Sequence, residues 1–298
     1  VSLFYNYYLT HHMVIDFYDF SRYKIINARS QIKADEPSIF YQNEGFLDVK
    51  IWDNKKNKLV SPSSFSIPSL SVLSQRRGLS VLTGLAETYE RIRLYREWSF
   101  GRNTIFRKPQ QADLQNDRME PDFSNLGMIL SRLRKDPKIK RALVDALKDL
   151  YEGVTDFEVI IEGGTVQVFF TEGDFSIPAT RLSDGTLRYL CLLAILLDPT
   201  PPPLVCIEEP ELGLHPDILP KIADLLVDAS SRTQLIVTTH SDVLIDALTE
   251  RPEAVLVFEK VNGQTKIKRL NKSDLEHWLK DYRLGQLWLR GEIGGTRW

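Results

Sequence analysis

The spacing of apolar and polar positions changes along the chain, and the change predicts where strands give way to helices. Up to about residue 80, β-branched and aromatic residues recur with a period of two, which is typical of antiparallel strands. The predicted strands lie in VIDFYDF, YKIINARSQIK, SIFYQ and FLDVKIWD, with a hairpin turn at residues 53–58. We therefore expect residues 1–80 to form an antiparallel β subdomain.

Beyond residue 80 the pattern becomes helical. Residues 85–98, LAETYERIRLYREW, place apolar side chains at helical spacing with charges between them. Residues 123–151 show the same spacing, and Asp136-Pro137 is expected to break that segment into two helices. Residues 81–155 are therefore predicted to form a helical subdomain.

The remaining residues, 156–298, alternate between strand and helix patterns. Hairpins are predicted at Gly163-Gly164 and at Asn262-Gly263, and a last helix over 273–282. The alternation between the hairpins is typical of a mostly parallel sheet flanked by helices, so we predict an α/β fold.

Composition narrows the class of protein. The 298 residues are 43% hydrophobic and 26% charged with a formal net charge of −2, which indicates a globular protein without a global basic field. Cys191 and Cys206 both sit in apolar runs, so core thiols are expected rather than a disulfide or metal site. The longest apolar stretch, 187–197, is too short to span a bilayer. We expect a cytoplasmic protein with no membrane partner.

Two apolar runs end in residues that are able to do chemistry. In PLVCIEEPE, Glu208 and Glu209 follow a short apolar strand, and in IVTTHSD, His240 follows the next one. Ligands of parallel sheets bind beyond the carboxyl ends of strands, where one carboxylate could hold Mg²⁺ and the other activate a water. Taken singly, each motif also fits solvated loop acids or a structural histidine.

A third segment, RLSDGTLRYL, places Ser183, Asp184 and Gly185 at the start of an apolar helix. Ser183 or Asp184 would cap that helix, and the free N–H groups of its first turn would attract an anion. Gly185 would let a phosphate approach the backbone. A plain helix cap explains the segment equally well when it stands alone.

In this order and spacing, the three segments resemble the ABC-type ATPase heads of the RecF/SMC-like and OLD-like branch of the AAA-family ATPases. LSDGT (182–186) resembles the signature, LVCIEE (204–209) the Walker B motif and PELGLHPD (210–217) the D-loop. The resemblance implies a P-loop NTPase fold that uses ATP and Mg²⁺. It also implies a head-to-tail homodimer in which each signature closes over the nucleotide of the other chain.

The resemblance assigns a role to each motif residue. Glu209 stands at the catalytic glutamate and His240 at the switch histidine, while Glu208 takes the place of a Mg²⁺-contacting Asp. The nucleotide-binding residues implied in this way are Ser183, Asp184, Gly185 and, at the Q-loop, Gln75. The longer side chain of Glu208 changes the expected metal geometry.

A phosphate-binding loop of the G-x-x-x-x-G-K-[ST] type is missing from the sequence, which contains no Gly-Lys dipeptide. A truncated ATPase and a degenerate one would both explain this, and the intact Glu209, His240 and signature favour truncation. We expect the chain alone to be inactive, and a missing central strand to leave a sheet edge exposed. The alternative function is that of a non-catalytic docking or DNA-binding remnant.

The compact form of the chain resembles RecF/OLD-like heads more than transporter or coiled-coil SMC proteins. That likeness implies work in DNA repair or phage defence, with a nuclease or other effector subunit and DNA as partners. Basic residues that could contact DNA lie at 76–77, 91, 93, 96, 132, 134–135, 138 and 140–141.

Overall fold

The computed structural model describes residues 2–4, 11–15, 22–27, 38–44, 49–53, 56, 58–60, 86–99, 101 and 103–295, with the backbone alone before residue 86 apart from the exposure of Lys56 and Lys58. The chain divides into two compact units, one of Val1–Asn6 with Ile92–Trp298 and one of Tyr7–Arg91. In chain order the described strands are β1 (Ser2–Phe4), β2 (His11–Ile15), β3 (Arg22–Asn27), β4 (Ser38–Glu44), β5 (Val49–Asp53), β6 (Lys58–Val60), β7 (Arg93–Tyr95), β8 (Gln110–Gln111), β9 (Val154–Glu162), β10 (Thr165–Glu172), β11 (Phe175–Pro178), β12 (Leu204–Glu208), β13 (Gln234–Thr238), β14 (Val255–Val261) and β15 (Gln264–Arg269).

The helices of the larger unit follow the apolar spacing of the sequence. In chain order they are α1 (Leu126–Leu133), α2 (Pro137–Lys148), α3 (Asp184–Leu196), α4 (Leu219–Ala229), α5 (Asp242–Asp246), α6 (Lys272–Leu275) and α7 (Leu284–Leu289). As predicted, Asp136 and Pro137 separate α1 from α2, because the Asp136 side chain accepts a hydrogen bond from the Lys138 N–H and Pro137 opens the next helix. The predicted last helix is shorter than expected and ends at Leu275, with a 3₁₀ turn at Trp278–Lys280.

The smaller unit contains an antiparallel sheet, as predicted for the start of the chain. Its strands pair in the order β2-β3-β4-β5-β6, each antiparallel to the next. The hairpin predicted around residues 53–58 agrees with the antiparallel pairing of β5 and β6, in which Asp53 lies opposite Lys58. Residues 86–90, also in this unit, are helical.

The main sheet of the larger unit has the order β15-β14-β1-β13-β12-β7. Its parallel part consists of β7, β12 and β13, and β14 and β15 form the hairpin predicted at Asn262-Gly263. β15 lies at one end of this order, and all of its residues are exposed. Together with the flanking helices, this arrangement confirms the predicted α/β class.

β1 fills the position between β13 and β14 and runs antiparallel to both, with Leu3 opposite Val237 and Val255. We expected a sheet edge to be exposed where a central strand was missing. That expectation is wrong for the described residues, because the backbone of Ser2–Phe4 pairs with both neighbouring strands and the sheet continues without a gap.

One helical prediction also fails in part. The helical spacing over 85–98 holds for residues 86–90, but Arg93–Tyr95 forms β7, which pairs in parallel with β12. Pairing with β12 outweighs the local pattern. Tyr95 is buried at 1% exposure, and its hydroxyl donates to the Met119 carbonyl.

A second sheet of the larger unit is built on the predicted Gly163-Gly164 hairpin, which joins β9 to β10. β11 and β8 also pair with β10. The core of the unit centres on α3, where Thr186–Leu196 is buried throughout. Cys191 lies fully inside this core, and burial raises the pKa of its thiol, in agreement with the expected structural role.

Candidate functional site

The carboxyl ends of β12 and β13 bring together the acids and the histidine predicted from the sequence. Glu208 is the last residue of β12 and lies opposite Thr238, the last residue of β13. Glu209 and His240 follow these ends, and the Glu209 Oε1 atom lies 3.6 Å from the His240 Nε2 atom. The side chain of Glu209 is 32% exposed and that of His240 is 74% exposed, so both can be reached from solvent.

The backbone at Glu209 has an unusual conformation. Its φ angle is 45°, in the left-handed region that non-glycine residues rarely adopt. Its N–H donates to the Thr238 carbonyl at 2.9 Å and more weakly to the Thr238 hydroxyl at 3.4 Å. Its own carbonyl accepts from the Arg188 Nη2 at 2.8 Å and from the Leu212 N–H at 3.2 Å. Such conformations persist where surrounding contacts fix them, and they cluster at functional sites.

Glu211 connects the two strand ends and was missed by the sequence analysis. Its Oε1 atom accepts from the Thr239 hydroxyl at 2.7 Å and from the His240 N–H at 2.8 Å. The Thr239 hydroxyl oxygen in turn accepts from the Ser241 N–H at 2.9 Å. Glu211 therefore fixes the backbone that carries His240. The sequence held a signal for Glu211, because it is a third acid at the end of the same strand, two residues after Glu209.

The start of α3 has the cap that the sequence predicted. The Ser183 Oγ accepts from the Thr186 N–H at 3.0 Å and lies 2.8 Å from the Thr186 Oγ1. Asp184 is engaged differently, because its carboxylate accepts from the Arg107 Nη2 at 2.5 Å. Arg107 also donates to the Thr180 carbonyl, so it ties the segment before the helix to the first turn.

Gly185 lies against the loop that follows β12. A Cβ atom built at Gly185 would stand 3.2 Å from the Gly213 carbonyl oxygen, which is closer than most side chains tolerate. Gly213 itself has a φ of 71°, which favours glycine. The first turn of α3 is thus packed directly onto the loop that follows the acid pair.

Arg188 and Trp98 also contact this region, although no sequence motif assigned a role to either residue. Arg188 is buried at 5% exposure, and its guanidinium carbon lies 4.4 Å from the centroid of the Trp98 ring. The indole N–H of Trp98 donates to the Glu208 carbonyl at 2.8 Å. The sequence could have indicated a role for Arg188, because it is a lone arginine inside an otherwise apolar helix.

The acid residues fit a hydrated Mg²⁺ only in part. Glu208 is exposed and offers carboxylate oxygens, the ligands that Mg²⁺ prefers. Within the described residues, however, no group of three or more His, Cys, Asp or Glu side chains could hold a metal ion. A magnesium ion here would keep water and phosphate oxygens as most of its ligands. Gln75, the remaining predicted site residue, lies outside the described residues.

Two of the basic residues proposed for DNA contact have structural partners instead. Arg132 forms a bidentate pair with the buried Asp198, with distances of 3.1 and 2.6 Å. The Lys140 Nζ lies 2.6 Å from a carboxylate oxygen of Asp156. Arg76 and Arg77 lie outside the described residues. Among the residues that the structure describes, no helix is both long enough and apolar enough to cross a membrane.

Comparison with known families and structures gives one extended match. A family described as "AAA domain, putative AbiEii toxin, Type IV TA system" matches residues 16–246. No curated protein matches the chain.

Similar solved structures are heads of SMC proteins. An SmcHead bound to the C-winged helix domain of ScpA is 14% identical, with 86% of this chain and 76% of that chain covered and a TM-score of 0.48. A Pyrococcus furiosus Smc head with an extended coiled coil, bound to the C-terminal domain of ScpA, is 18% identical, with 54% and 42% covered and a TM-score of 0.40. A structure from work on ATP-driven dimerization and DNA-stimulated activation of SMC ATPases is 18% identical, with 51% and 95% covered and a TM-score of 0.37. The present chain thus spans less than half of the Pyrococcus furiosus chain, and the assignment of its site depends on its own contacts.

Proposed function

The chain belongs to the AAA domain family, as its motifs predicted. We propose that it forms part of an ATPase head that binds and hydrolyses ATP with Mg²⁺, and that this activity needs a phosphate-binding loop of the kind that the present sequence does not contain. The observation that carries the proposal is the meeting of Glu208, Glu209 and His240 at the ends of two adjacent parallel strands. Active sites of parallel sheets form at such ends. The contact of 3.6 Å between Glu209 and His240 is one that the two sequence motifs alone did not require.

In this proposal each side chain has a separate task. Glu209 accepts the proton of the attacking water, since its carboxylate is half-buried yet open to solvent. His240 hydrogen-bonds the terminal phosphate from the other strand end, and Glu211 holds its backbone in place. Glu208 would hold a Mg²⁺ ion. Mg²⁺, when bound with ATP, neutralises phosphate charge.

We further propose that two copies pair head-to-tail. Ser183 is committed to its cap and Asp184 to Arg107, so the first turn of α3 is a rigid element with free N–H groups. Such a helix start favours an anion, and the phosphate of a second copy would supply one. Ser183 and Gly185 would then face the nucleotide in trans. Arg107 offsets the repulsion that the Asp184 carboxylate would otherwise exert on phosphate.

The partners of such a pair follow from family resemblance. We propose that ATP-driven pairing gates a nuclease or another effector subunit in DNA repair or phage defence, in the cytoplasm. A direct contact with DNA would have to use basic residues other than Arg132 and Lys140, which are engaged in ion pairs. Exposed candidates on and around α2 are Lys135, Lys138 and Arg141.

The proposal is tested with the protein expressed from its complete coding sequence. Glu209→Gln should lower kcat by about 10²-fold or more while ATP binding persists, because glutamine keeps the shape but cannot accept the proton. Glu208→Gln should weaken nucleotide binding itself, because it loosens the metal. Glu158→Gln, an exposed acid on β9 in the other sheet, is the matched control and should leave both unchanged.

Steady-state ATPase assays and titration with a non-hydrolysable ATP analogue separate the two effects. Near-normal turnover by Glu209→Gln would refute the assigned catalytic role. If the wild-type protein neither binds nor hydrolyses ATP but binds DNA in a salt-dependent manner, it is a docking module instead.

A further inference from the structure

The carbonyl groups of the two adjacent acids each accept a hydrogen bond from a large side chain. The Trp98 indole N–H donates to the Glu208 carbonyl, and the Arg188 guanidinium donates to the Glu209 carbonyl, both at 2.8 Å. The guanidinium also stacks on the indole ring. The two side chains therefore contact each other and hydrogen-bond to two consecutive carbonyl groups, those of Glu208 and Glu209.

The Arg188 guanidinium and the Trp98 ring are both planar groups that can keep this arrangement. Arg188 is buried, and desolvation lowers its pKa to about 10, while the nearby Glu211, Cys191 and Glu209 act in the opposite direction. The side chain thus stays charged at neutral pH, and hydrogen bonds from a charged donor are stronger than neutral ones. A planar guanidinium can donate in its plane while its face lies on an aromatic ring, which a lysine cannot do.

Arg188 also links the acid pair to the start of α3. It lies on α3 five residues after the Ser183 cap, and its Nη1 atom is 3.9 Å from the Cβ position of Gly213. Gly213 is the residue against which Gly185 packs. A displacement of the first turn of α3 would therefore be transmitted to the peptide that carries Glu209.

We propose that Arg188, supported by Trp98, is a positioning residue that holds the Glu209 backbone in its left-handed conformation, and that it couples the start of α3 to the orientation of the Glu209 carboxylate. This inference rests on the proposed function, because it assumes that Glu209 acts on water. It assigns to α3 a second task within its own chain, besides the contact with a second copy. Arg188 does not itself touch the reacting groups.

Two variants isolate the two hydrogen bonds. Arg188→Lys keeps the charge and removes the planar donor, and Trp98→Phe keeps the ring and removes the N–H that reaches Glu208. Trp278→Phe is the matched control, since Trp278 packs on Tyr282 rather than on the acid pair. The first readout needs no nucleotide: solvent exchange of the Trp98 indole N–H, followed by NMR and assigned through its loss in Trp98→Phe. We expect about tenfold faster exchange in Arg188→Lys, because the guanidinium no longer covers the indole ring and no longer fixes the Glu209 carbonyl, which belongs to the peptide next to the one that accepts the indole N–H.

The second readout is catalytic, in the full-length protein. Arg188→Lys and Trp98→Phe should each lower kcat by about tenfold or more, the size expected for one lost hydrogen bond to or from a charged group, while KM for ATP and analogue-driven pairing stay unchanged. In a Glu209→Gln background, Arg188→Lys should cause no further loss, because a residue that acts through Glu209 has nothing left to position.

The outcomes separate this inference from the proposed function. If Glu209→Gln abolishes turnover while Arg188→Lys and Trp98→Phe are normal, the positioning role is wrong and the function stands. If Glu209→Gln has normal turnover, the function itself is wrong. Arg188 would have only a structural role if Arg188→Lys lowered kcat further in the Glu209→Gln background. The same conclusion would follow if kcat, ATP affinity and melting temperature all fell together. If Arg188→Lys does not fold, Trp98→Phe decides.

Discussion

Gly285 lies where two helices approach too closely for any side chain, and its replacement by alanine should loosen the support of the site. A Cβ atom at Gly285 would stand 2.4 Å from the Asp242 carbonyl oxygen and 2.9 Å from the Asp246 Cβ. Asp242 opens α5, directly after Ser241 and two residues after His240. Since ordinary contact begins near 3.4 Å, α5 would have to retreat by about 1 Å from α7.

The size of the effect follows from two opposing terms. Overpacking of this kind costs about 1–3 kcal/mol, whereas alanine in a helix is favoured over glycine by up to about 1 kcal/mol. Because the 2.4 Å contact is with a backbone oxygen, the overpacking cost should lie in the upper part of its range, about 2–3 kcal/mol, and the net destabilisation after the helix term of about 1 kcal/mol should be about 1–2 kcal/mol. For a unit of this size that corresponds to a fall in Tm of roughly 2–8 °C.

Differential scanning calorimetry of the wild type and Gly285→Ala measures this shift directly. Leu289→Ala on the same helix is the control, because Leu289 is 57% exposed and its truncation should change stability by no more than about 0.5 kcal/mol. If Gly285→Ala melts at or above the wild-type temperature, α5 and α7 are not packed as closely as described, and the reasoning from the Gly285 contact distance is refuted.

Three further predictions concern nucleotide, pairing and stability. The 298-residue chain should bind ATP weakly and hydrolyse almost none, because it has no Gly-Lys dipeptide; micromolar affinity in a calorimetric titration with Mg²⁺ would contradict this. Ser183→Arg should leave the fold intact but block dimerisation of the full-length protein with a non-hydrolysable ATP analogue, since the added cation occupies the start of α3. Sedimentation measures the dimer fraction, and normal dimerisation of the variant would contradict the assignment of LSDGT as the signature. Arg132→Ala should lower the free energy of unfolding in urea by about 3 kcal/mol, because the buried Asp198 carboxylate loses its ion-pair partner. Arg134→Ala is the control and should have little effect. Equal effects of the two variants would show that the ion pair does not contribute to stability.

The strand ends of the site could be predicted because their signal is local. An apolar run followed at once by acids or a histidine fixes both the strand and the position of the side chain at its end. The order of Ser183, Glu209 and His240 along the chain then suggested one site. The structure brings Glu209 and His240 together, and the hairpins at Gly163 and Asn262 were predictable in the same way from their turn residues.

The supporting contacts could not be predicted because they join distant parts of the chain. The contact from Trp98 to Glu208 spans 110 positions, and that from Arg188 to Glu209 spans 21. A lone charge inside an apolar helix shows that a partner must exist, but the sequence does not name it. The helix predicted over Arg93–Tyr95 was wrong for a related reason. These residues form a strand because they pair with β12, and the spacing of their apolar side chains does not show this.

The composition of β15 affects how copies of the chain behave at high concentration. An edge strand offers a row of backbone donors and acceptors to any other strand, and the exposed Ile267 would favour such a contact. Lys266, Lys268 and Arg269 occupy the same six-residue strand and carry like charge. Two such edges brought side by side would oppose cation to cation, so fibre growth through this end of the sheet is disfavoured. The basic residues of β15 thus act as gatekeepers against aggregation.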